Sequence, residues 1–483
     1  MNIQDSRKKR VLDSKIIQGG MGAGVSNYRL VREVCKNGGL GVVSGVALNE
    51  IMIRRLQNGD PTREIREALQ LFPDKDTSDW IIDEYFIEGG KKEDSRYKTS
   101  PFPKFSLNGK DITLDNKNLE KLIVASNFVE VSLAKQGHDN PVGINYLYKI
   151  QWPILPAMYG AMLAGVDAFL IGAGFPRDIK RVINELSNGN ITNMGIPVIG
   201  EENYQIGFEP NSIIKNRNKL DSPLFLGVVG NHLGVKALPD ADGYIIENDS
   251  AGGHNAPARN KGLTENGEPD YGDKDYLNPK LLKHLLSQNA DNRHGEYQPY
   301  WLAGGYSNKL KQAIVEGAVG VQVGTPFAFC NESGIEYELK QKILLQILNG
   351  GEVFTSPNAS PSGFPFKIFQ SPDTISDMDG YNSRERKCDL GYLTNLYHDG
   401  EEIHSRCPAE KEESFIRKGG NSVDLVGRVC LCNALIATIG LGSPKELPIV
   451  TSGKDLTSVK EIVKKHGINY SAKDVVNYIK NPY

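Results

Sequence analysis

The stretch Tyr300-Trp-Leu-Ala-Gly-Gly-Tyr-Ser-Asn-Lys-Leu-Lys-Gln-Ala-Ile-Val-Glu-Gly-Ala-Val-Gly-Val-Gln-Val-Gly-Thr325 contains two short apolar runs separated by a helical segment. The runs 300–304 and 320–324 are mainly apolar, which is typical of strands buried on both faces of a parallel sheet. Residues 308–316 between them have the pattern of a helix. Strand, helix and strand in succession form the repeating unit of α/β folds.

The same unit recurs along the chain. Six further apolar runs precede helical or polar segments, namely Lys15–Gly19, Leu40–Ser44, Pro141–Asn145, Ala168–Gly172, Pro223–Val229 and Gly243–Glu247. Helical candidates include residues 27–37, 157–164 and 176–186. Eight strands with interposed helices predict an α/β fold of the (β/α)8, or TIM barrel, type. A ninth run, Ile196–Ile199, is assigned to an inserted hairpin, because Leu224–Val229 leads more directly into the following unit.

The barrel is predicted to occupy residues 10–345. It carries an insertion near 72–136, in which residues 74–118 are rich in charged residues, Gly and Ser, and a polar loop near 259–276. Long loops in a compact domain are usually functional lids or disordered segments. After residue 345 the alternation of strands and helices stops, and residues 346–483 form a C-terminal extension that contains four of the six cysteines.

Charge and composition exclude several classes of function. The 483 residues include 56 Lys plus Arg against 59 Asp plus Glu, and a net charge of −3 does not attract nucleic acid or anionic lipid. The longest apolar stretch, 154–175, contains Pro156 and Asp167, so we expect a helix and a buried strand and no membrane span. The first fifteen residues are polar, which is not a signal-peptide pattern, and six cysteines are too few for a secreted disulfide scaffold. We therefore expect a cytoplasmic protein with a small-molecule substrate, no nucleic-acid or membrane partner and, if it assembles, a homodimer.

Glycine-rich segments follow four of the predicted strands. In a TIM barrel the active site lies at the C-terminal ends of the strands, and glycine there lets the backbone approach a ligand and offer N–H donors. The ends of the seventh and eighth strands of such barrels frequently hold a phosphate. We therefore favour a phosphate cradle at these glycines, and the alternative is a pair of tight strand–helix turns that bind no ligand. The cradle would consist of Gly304, Gly305, Gly324 and Thr325.

Two polar residues at strand ends are candidates for chemistry. His254 follows the sixth strand, and an imidazole with an ordinary pKa of about 6.5 can act as a base near neutral pH. Taken alone, the residue is more typical of a histidine that is hydrogen-bonded within a loop. Asn145 ends the third strand, where it either hydrogen-bonds a planar heteroaromatic ligand or caps the next helix.

Five motifs in this order resemble those of the nitronate monooxygenase family, formerly called 2-nitropropane dioxygenase: Ile16–Gly22, Gly143–Asn145, Ala251–His254, Ala303–Gly305 and Gly320–Thr325. The resemblance covers residues 14–330 and implies a barrel that binds FMN non-covalently. By motif match, Gly20, Met21 and Gly22 would lie along the flavin, Asn145 would bond its ring, and Gly252 and Gly253 would belong to the same site. Gly304, Gly305, Gly324 and Thr325 would hold the phosphate with Gln322 nearby. His254 matches the family's active-site histidine, which would abstract the α-proton of a nitroalkane or orient the bound nitronate.

The resemblance implies that alkyl nitronates or nitroalkanes are oxidised with dioxygen to carbonyl compounds, the flavin carrying the electrons. An FMN-dependent enoyl-thioester reductase is the main alternative, because it has the same barrel and Gly-Gly-His motif and passes electrons from NAD(P)H to an acyl double bond. Here His254 is followed by Asn255-Ala-Pro-Ala-Arg259 in place of a small, glycine-containing continuation, which leaves the substrate open. Arg259 would bind an anionic substrate or a neighbouring carboxylate, and the surface salt bridge is favoured. A flavin- or nucleotide-binding protein without turnover is a third hypothesis. Inosine monophosphate dehydrogenases have similar glycine-rich strand ends, but they use a cysteine nucleophile in a loop. This sequence has no cysteine near the end of the sixth predicted strand.

The cysteines of the extension give no clear motif. Cys430 and Cys432 are separated by a single residue, which is not the spacing of ordinary zinc knuckles. Cys388 and Cys407 complete the group, and His398 and His404 lie near Cys407 in the sequence, so a mixed Cys/His metal site is an open alternative. Buried apolar cysteines are the favoured interpretation, and no metal ligand is assigned. Cys35 and Cys330 are predicted to be core residues.

Overall fold

The fold is described from a computed structural model, which describes residues 3–215, 218–260, 262–292, 295, 297–382 and 384–483. Eight parallel strands form a closed barrel in which each strand pairs with its neighbours in the chain and the last pairs with the first. The strands are β1 (Ile16–Gln18), β2 (Leu40–Ser44), β3 (Val142–Leu147), β4 (Ala168–Gly172), β5 (Leu224–Val229), β6 (Gly243–Glu247), β7 (Tyr300–Ala303) and β8 (Gly320–Val323). The predicted TIM barrel is confirmed, and each strand lies where its apolar run predicts.

Alternate residues of the strands face opposite sides of the barrel wall. One set packs in the interior as a cluster that includes Ile17, Leu170, Leu226 and Trp301, while the neighbouring residues pack outward against the helices. The first helix, Ile3–Leu12, contributes Val11 to the interior cluster. This filled interior is a packed core and not a channel, so the opening for a ligand lies beyond the C-terminal ends of the strands.

Helices surround the barrel. Helix Tyr28–Lys36 buries its apolar face against β2 and starts at Asn27, whose side chain accepts the N–H of Leu30. The long helix Lys117–Ala134 packs against β2, β3 and the following helix. The other helices up to residue 348 are Leu48–Gln57, Glu64–Gln70, Lys75–Tyr85, Ile154–Leu163, Ile179–Ser187, His232–Ala237, Pro279–Asn292, Leu310–Val315, Thr325–Ala328 and Tyr337–Leu348, with a short 3₁₀ turn at Pro210–Ser212.

Two small sheets lie outside the barrel. Strands Phe105–Asn108, Asp111–Leu114, Gln205–Phe208 and Thr192–Gly195 form a four-stranded sheet. Strand Val198–Ile199 pairs with Asn395–His398, which pairs in turn with Ile403–Arg406. The apolar run 196–199 is therefore outside the barrel, as predicted, and it joins residues of the C-terminal extension.

The C-terminal extension packs on the barrel and shares its main hydrophobic core. It begins with a hairpin of Val353–Ser356 and Phe366–Phe369. It continues through helices Met378–Asn382, Glu412–Arg417, Leu431–Thr438, Thr457–His466 and Ala472–Lys480 and a 3₁₀ turn at Ser422–Leu425. Helix Ala472–Lys480 packs on Tyr28–Lys36. No helix among the described residues is both long and apolar enough to span a membrane.

Candidate active site at the C-terminal ends of the strands

A cavity of about 580 Å³ opens at the C-terminal ends of the barrel strands. Its volume is within the range of small-molecule and cofactor pockets. Every residue that the sequence singled out for the site lines this cavity: Gly20, Met21, Gly22, Asn145, Gly252, Gly253, His254, Gly304, Gly305, Gln322, Gly324 and Thr325. The structure thus brings together residues from the ends of β1, β3, β6, β7 and β8.

Asn248 links the turn that follows β6 to the backbone that follows β7. Its Oδ1 accepts the backbone N–H of Ser250 at 2.9 Å and the Ser250 hydroxyl at 2.6 Å, and its Nδ2 donates to the carbonyl of Gly304 at 2.9 Å. Gly304 has a φ of 84°, and a Cβ there would lie 2.2 Å from Asn248 Oδ1, so the position requires glycine. Neither Asn248 nor Ser250 was assigned a role from the sequence, although Ser250 begins the glycine-rich segment 250–254.

Unpaired backbone donors line the same end of the cavity. Within the described parts of the chain, the N–H groups of Gly304, Gly305 and Thr325 make no hydrogen bond to another residue. The Thr325 hydroxyl accepts the N–H of Gly453 at 2.9 Å, which leaves the hydroxyl's own hydrogen free to donate. Several converging N–H and O–H donors suit an anion with several acceptor oxygens.

Asn145 projects into the cavity beside Gly20. A Cβ at Gly20 would lie 2.2 Å from Asn145 Oδ1, so the glycine allows the amide to lie against the backbone. The next helix begins at Ile154 with Pro153 as its cap, nine residues away, so Asn145 is not the cap of that helix.

Gln322 and Glu247 meet at the floor of the cavity. Gln322 Nε2 donates to Glu247 Oε1 at 3.0 Å, and the Gln322 side chain also contacts the position where Gly19 would carry a Cβ. Burial raises the pKa of Glu247 to about 7, against the opposing effect of the Gln322 hydrogen bond. This carboxyl is another residue that the sequence did not single out.

His254 is held by the C-terminal extension. Its Nε2 lies 2.7 Å from Ser360 Oγ, its ring packs edge-on to Phe366 at 4.7 Å between centroids, and its backbone bridges to Phe366. Burial, with a smaller contribution from the charge of Lys149, holds the pKa of His254 well below its usual value. His254 is therefore a neutral imidazole near neutral pH.

Backbone hydrogen bonds tie the Gly-Gly-His segment to the extension. The N–H of Gly253 donates to Thr451 Oγ1 at 2.8 Å, and the carbonyl of Gly253 accepts the N–H of Lys367 at 2.9 Å. The N–H of Asn255 donates to the carbonyl of Pro365 at 3.0 Å. Residues more than a hundred positions away in sequence thus complete the site, and they belong to none of the barrel strands.

The polar loop near 259–276, residue 261 excepted, lies at the mouth of the cavity. The Arg259 guanidinium pairs with Asp275 at 3.9 Å, and the backbone N–H of Arg259 donates to the same carboxylate at 3.0 Å. The ion pair agrees with the favoured salt-bridge interpretation. Glu268 accepts the N–H of Thr355 at 2.7 Å and pairs with Lys454 at 3.0 Å. Glu268 therefore attaches the loop to the C-terminal extension through its contacts with Thr355 and Lys454.

The cysteines of the extension lie together, away from the cavity. Cys388, Cys407, Cys430 and Cys432 share one small apolar cluster as free thiols. A hydrogen bond from Cys407 lowers the pKa of Cys388, and the same contact raises that of Cys407. His398 and His404 bond to the carboxylates of Glu201 and Asp399, respectively.

Across the described residues, no group of three or more His, Cys, Asp and Glu side chains is arranged to hold a metal ion. Cys35 and Cys330 are fully buried core residues, as predicted.

The solved structures that are similar to this chain include a FabK variant, a nitroalkane oxidase and an enoyl reductase domain. No protein-family model matches the chain, and no curated protein matches it. A FabK variant from Thermotoga maritima is 15% identical, with 97% of this chain and 91% of that chain covered and a TM-score of 0.44. A nitroalkane oxidase from Streptomyces ansochromogenes is 14% identical, covering 97% and 96%, with a TM-score of 0.42. The enoyl reductase domain of MlnA from Bacillus amyloliquefaciens is 12% identical, covering 99% and 96%, with a TM-score of 0.48.

Proposed function

We propose that this protein is an FMN-dependent oxidoreductase that oxidises alkyl nitronates. The observation that carries the proposal is the convergence of open backbone donors with a neutral histidine in one cavity. The donors at Gly304, Gly305 and Thr325 have the chemistry that a phosphate monoester requires. The adjoining cavity, about 580 Å³ in volume, has room for a flavin and a small substrate.

FMN, when bound, would supply the electron transfer from the nitronate to dioxygen. The protein's own residues would do the rest. Asn145 would donate from its amide to the flavin ring, and the Ser250 and Thr325 hydroxyls would complete the phosphate cradle. The C-terminal extension contacts the glycine-rich strand ends through Thr451 and Gly453, and these contacts would limit the access of water to the bound flavin.

His254 would act on the substrate through Nδ1. Its Nε2 is engaged by Ser360, whereas Nδ1 has no partner among the described residues and the residue lines the cavity. Because the pKa of His254 is low, its imidazole is a weak base, so it would orient a preformed nitronate better than it would deprotonate a neutral nitroalkane. We therefore expect nitronates to be better substrates than the corresponding nitroalkanes.

The test compares His254→Asn with the wild-type protein, both reconstituted with FMN. A hydrogen-bond donor directed at an anionic oxygen contributes about 10²–10³-fold, so turnover of an alkyl nitronate should fall by that order while the FMN-to-protein ratio is unchanged. His466→Asn, at an exposed histidine of a C-terminal helix, is the matched control and should retain full turnover. Unchanged turnover in His254→Asn would exclude the role assigned to this imidazole.

An enoyl-thioester reductase is a second candidate, favoured by the apolar mouth of the cavity. Phe175, Leu233 and Tyr276 line this mouth and are 55%, 44% and 42% exposed, which is more apolar surface than a small nitronate needs and suits an acyl chain. Anaerobic incubation with NAD(P)H and a short enoyl thioester tests this candidate. Consumption of NAD(P)H that depends on the thioester, with no response to nitronate, would favour the reductase over the nitronate oxidase.

A further inference from the structure

A row of polar groups leads from His254 away from the cavity. His254 Nε2 lies 2.7 Å from Ser360 Oγ, and Ser360 Oγ lies 2.7 Å from Ser362 Oγ. Lys149 Nζ donates to Ser362 Oγ at 3.3 Å. The four side chains thus form a continuous hydrogen-bonded row in which each group contacts the next.

Both strand ends and the extension contribute to this row. Lys149 follows β3, His254 follows β6, and the two serines belong to the turn between the strands of the extension's hairpin. Arg428 fixes the turn by donating from Nη1 to the carbonyl of Ser360 at 2.6 Å, and the Ser362 N–H donates to Ser360 Oγ at 3.2 Å. The turn is therefore positioned by contacts that do not use the hydroxyl hydrogens.

Lys149 is the one group of the row that is suited to store a proton. It is partly buried, its Nζ lies 3.6 Å from the centroid of the Phe364 ring, and burial lowers its pKa to about 7. An amine with this pKa exchanges between its charged and neutral forms near neutral pH. The charge of Lys149 acts on His254, Arg428 donates to the carbonyl of Ser360, and Lys367 donates from Nζ to Asn255 Oδ1 at 2.7 Å.

We propose that Lys149, Ser362 and Ser360 form a proton relay that exchanges protons with His254 during turnover. In the delivery direction, His254 gives the Nδ1 proton to the substrate and takes a proton at Nε2 from the Ser360 hydroxyl. Ser360 is reprotonated by Ser362, and Ser362 by the Lys149 ammonium, which becomes an amine. Each step breaks one O–H or N–H bond and forms another, with no change in electrons, and proton abstraction from a substrate runs the same sequence in reverse. The relay rests on the proposed function for its substrate but not for its residues.

The first test is spectroscopic and uses the full chain without added cofactor. The ¹⁵N shifts of His254, assigned by their loss in His254→Asn, are followed by NMR as a function of pH. We expect an inflection near pH 7 that reports on Lys149, because the two groups interact electrostatically. It should disappear in Lys149→Met, where the pKa of His254 should also rise, and it should move in Ser362→Ala. Superimposable curves for the three proteins would overturn the proposal even if no substrate is found.

The second test measures turnover with whichever substrate the FMN-loaded protein accepts. Ser362→Ala removes the hydroxyl without changing any charge, and turnover should fall about 10- to 100-fold with an altered solvent isotope effect and unchanged FMN content. Ser362→Thr keeps a hydroxyl and should restore most of the activity. Lys342→Met, at a lysine paired with Asp373 on the surface, is the control for loss of a lysine. Wild-type turnover and pH profile in Ser362→Ala would refute the relay, whereas inactivity of every protein toward nitronate and enoyl thioester would refute the proposed function alone.

Discussion

Gly20→Ala tests whether the amide of Asn145 serves the cofactor. The new Cβ would lie 2.2 Å from Asn145 Oδ1 and 2.6 Å from its Cγ, so the amide must move by roughly 1 Å or more to reach ordinary contact. A displaced rotamer costs about 0.5–1.5 kcal/mol and a lost hydrogen bond a further ~0.5–1.5 kcal/mol. Together these penalties predict a 5- to 150-fold increase in the Kd of FMN, at about 1.4 kcal/mol per factor of ten.

The assay titrates protein stripped of flavin with FMN and follows the quenching of flavin fluorescence. Asn145→Gly removes the atoms that the new methyl group would strike, so Gly20→Ala should have little additional effect in that background. Gly195→Ala, where a Cβ meets no atom within 4 Å, is the matched control. The role of Asn145 is refuted if Gly20→Ala binds FMN as tightly as the wild type, or if the substitution weakens binding equally with and without Asn145.

Three further predictions concern stability and reactivity. Arg54 pairs with the buried carboxylate of Glu50 at 3.0 Å, so Arg54→Met removes the cationic partner of that carboxylate and should destabilise the protein by about 3–5 kcal/mol in urea unfolding. Arg181→Met, at a surface pair with Glu185, should cost under ~1 kcal/mol. The raised pKa of Glu247 makes the folded state bind more protons than the unfolded state between about pH 4.5 and pH 7. The free energy of unfolding should therefore fall by ~3 kcal/mol as the pH rises through this range. A pH series of unfolding curves should show that this decrease is absent in Glu247→Gln. Cys388 should be alkylated first by iodoacetamide, since its pKa is lowered and it is partly exposed, while Cys407 is buried with a raised pKa; mass spectrometry that finds Cys407 labelled earlier would contradict this.

The barrel was predictable because its strands are encoded locally. Runs such as Ala168–Gly172 are buried on both faces and remain apolar throughout, so each strand is visible without knowledge of its neighbours. Helix ends were less predictable. The helix predicted at 157–164 begins at Ile154, because the apolar residues after Pro153 are buried by the neighbouring helix, a tertiary effect.

The candidate site was predictable only in part, for a related reason. Glycine and histidine at strand ends identify the cavity, since the barrel's geometry alone brings those ends together. Ser360, Phe366 and Thr451 reach it through folding of the extension, and no local pattern in the sequence specifies that contact. The same holds for the four clustered cysteines, whose sequence spacing gave no motif although they meet in space.

The attachment of the extension to the Gly-Gly-His segment has a consequence for biosynthesis. All eight strands are complete once residue 323 has been synthesised, yet the contacts at Gly253 and Thr325 require Thr451 and Gly453. A nascent chain can therefore close its barrel well before its cavity has walls on every side. The pocket is therefore completed only after residues 451–453 have been synthesised, long after the last barrel strand at 320–323.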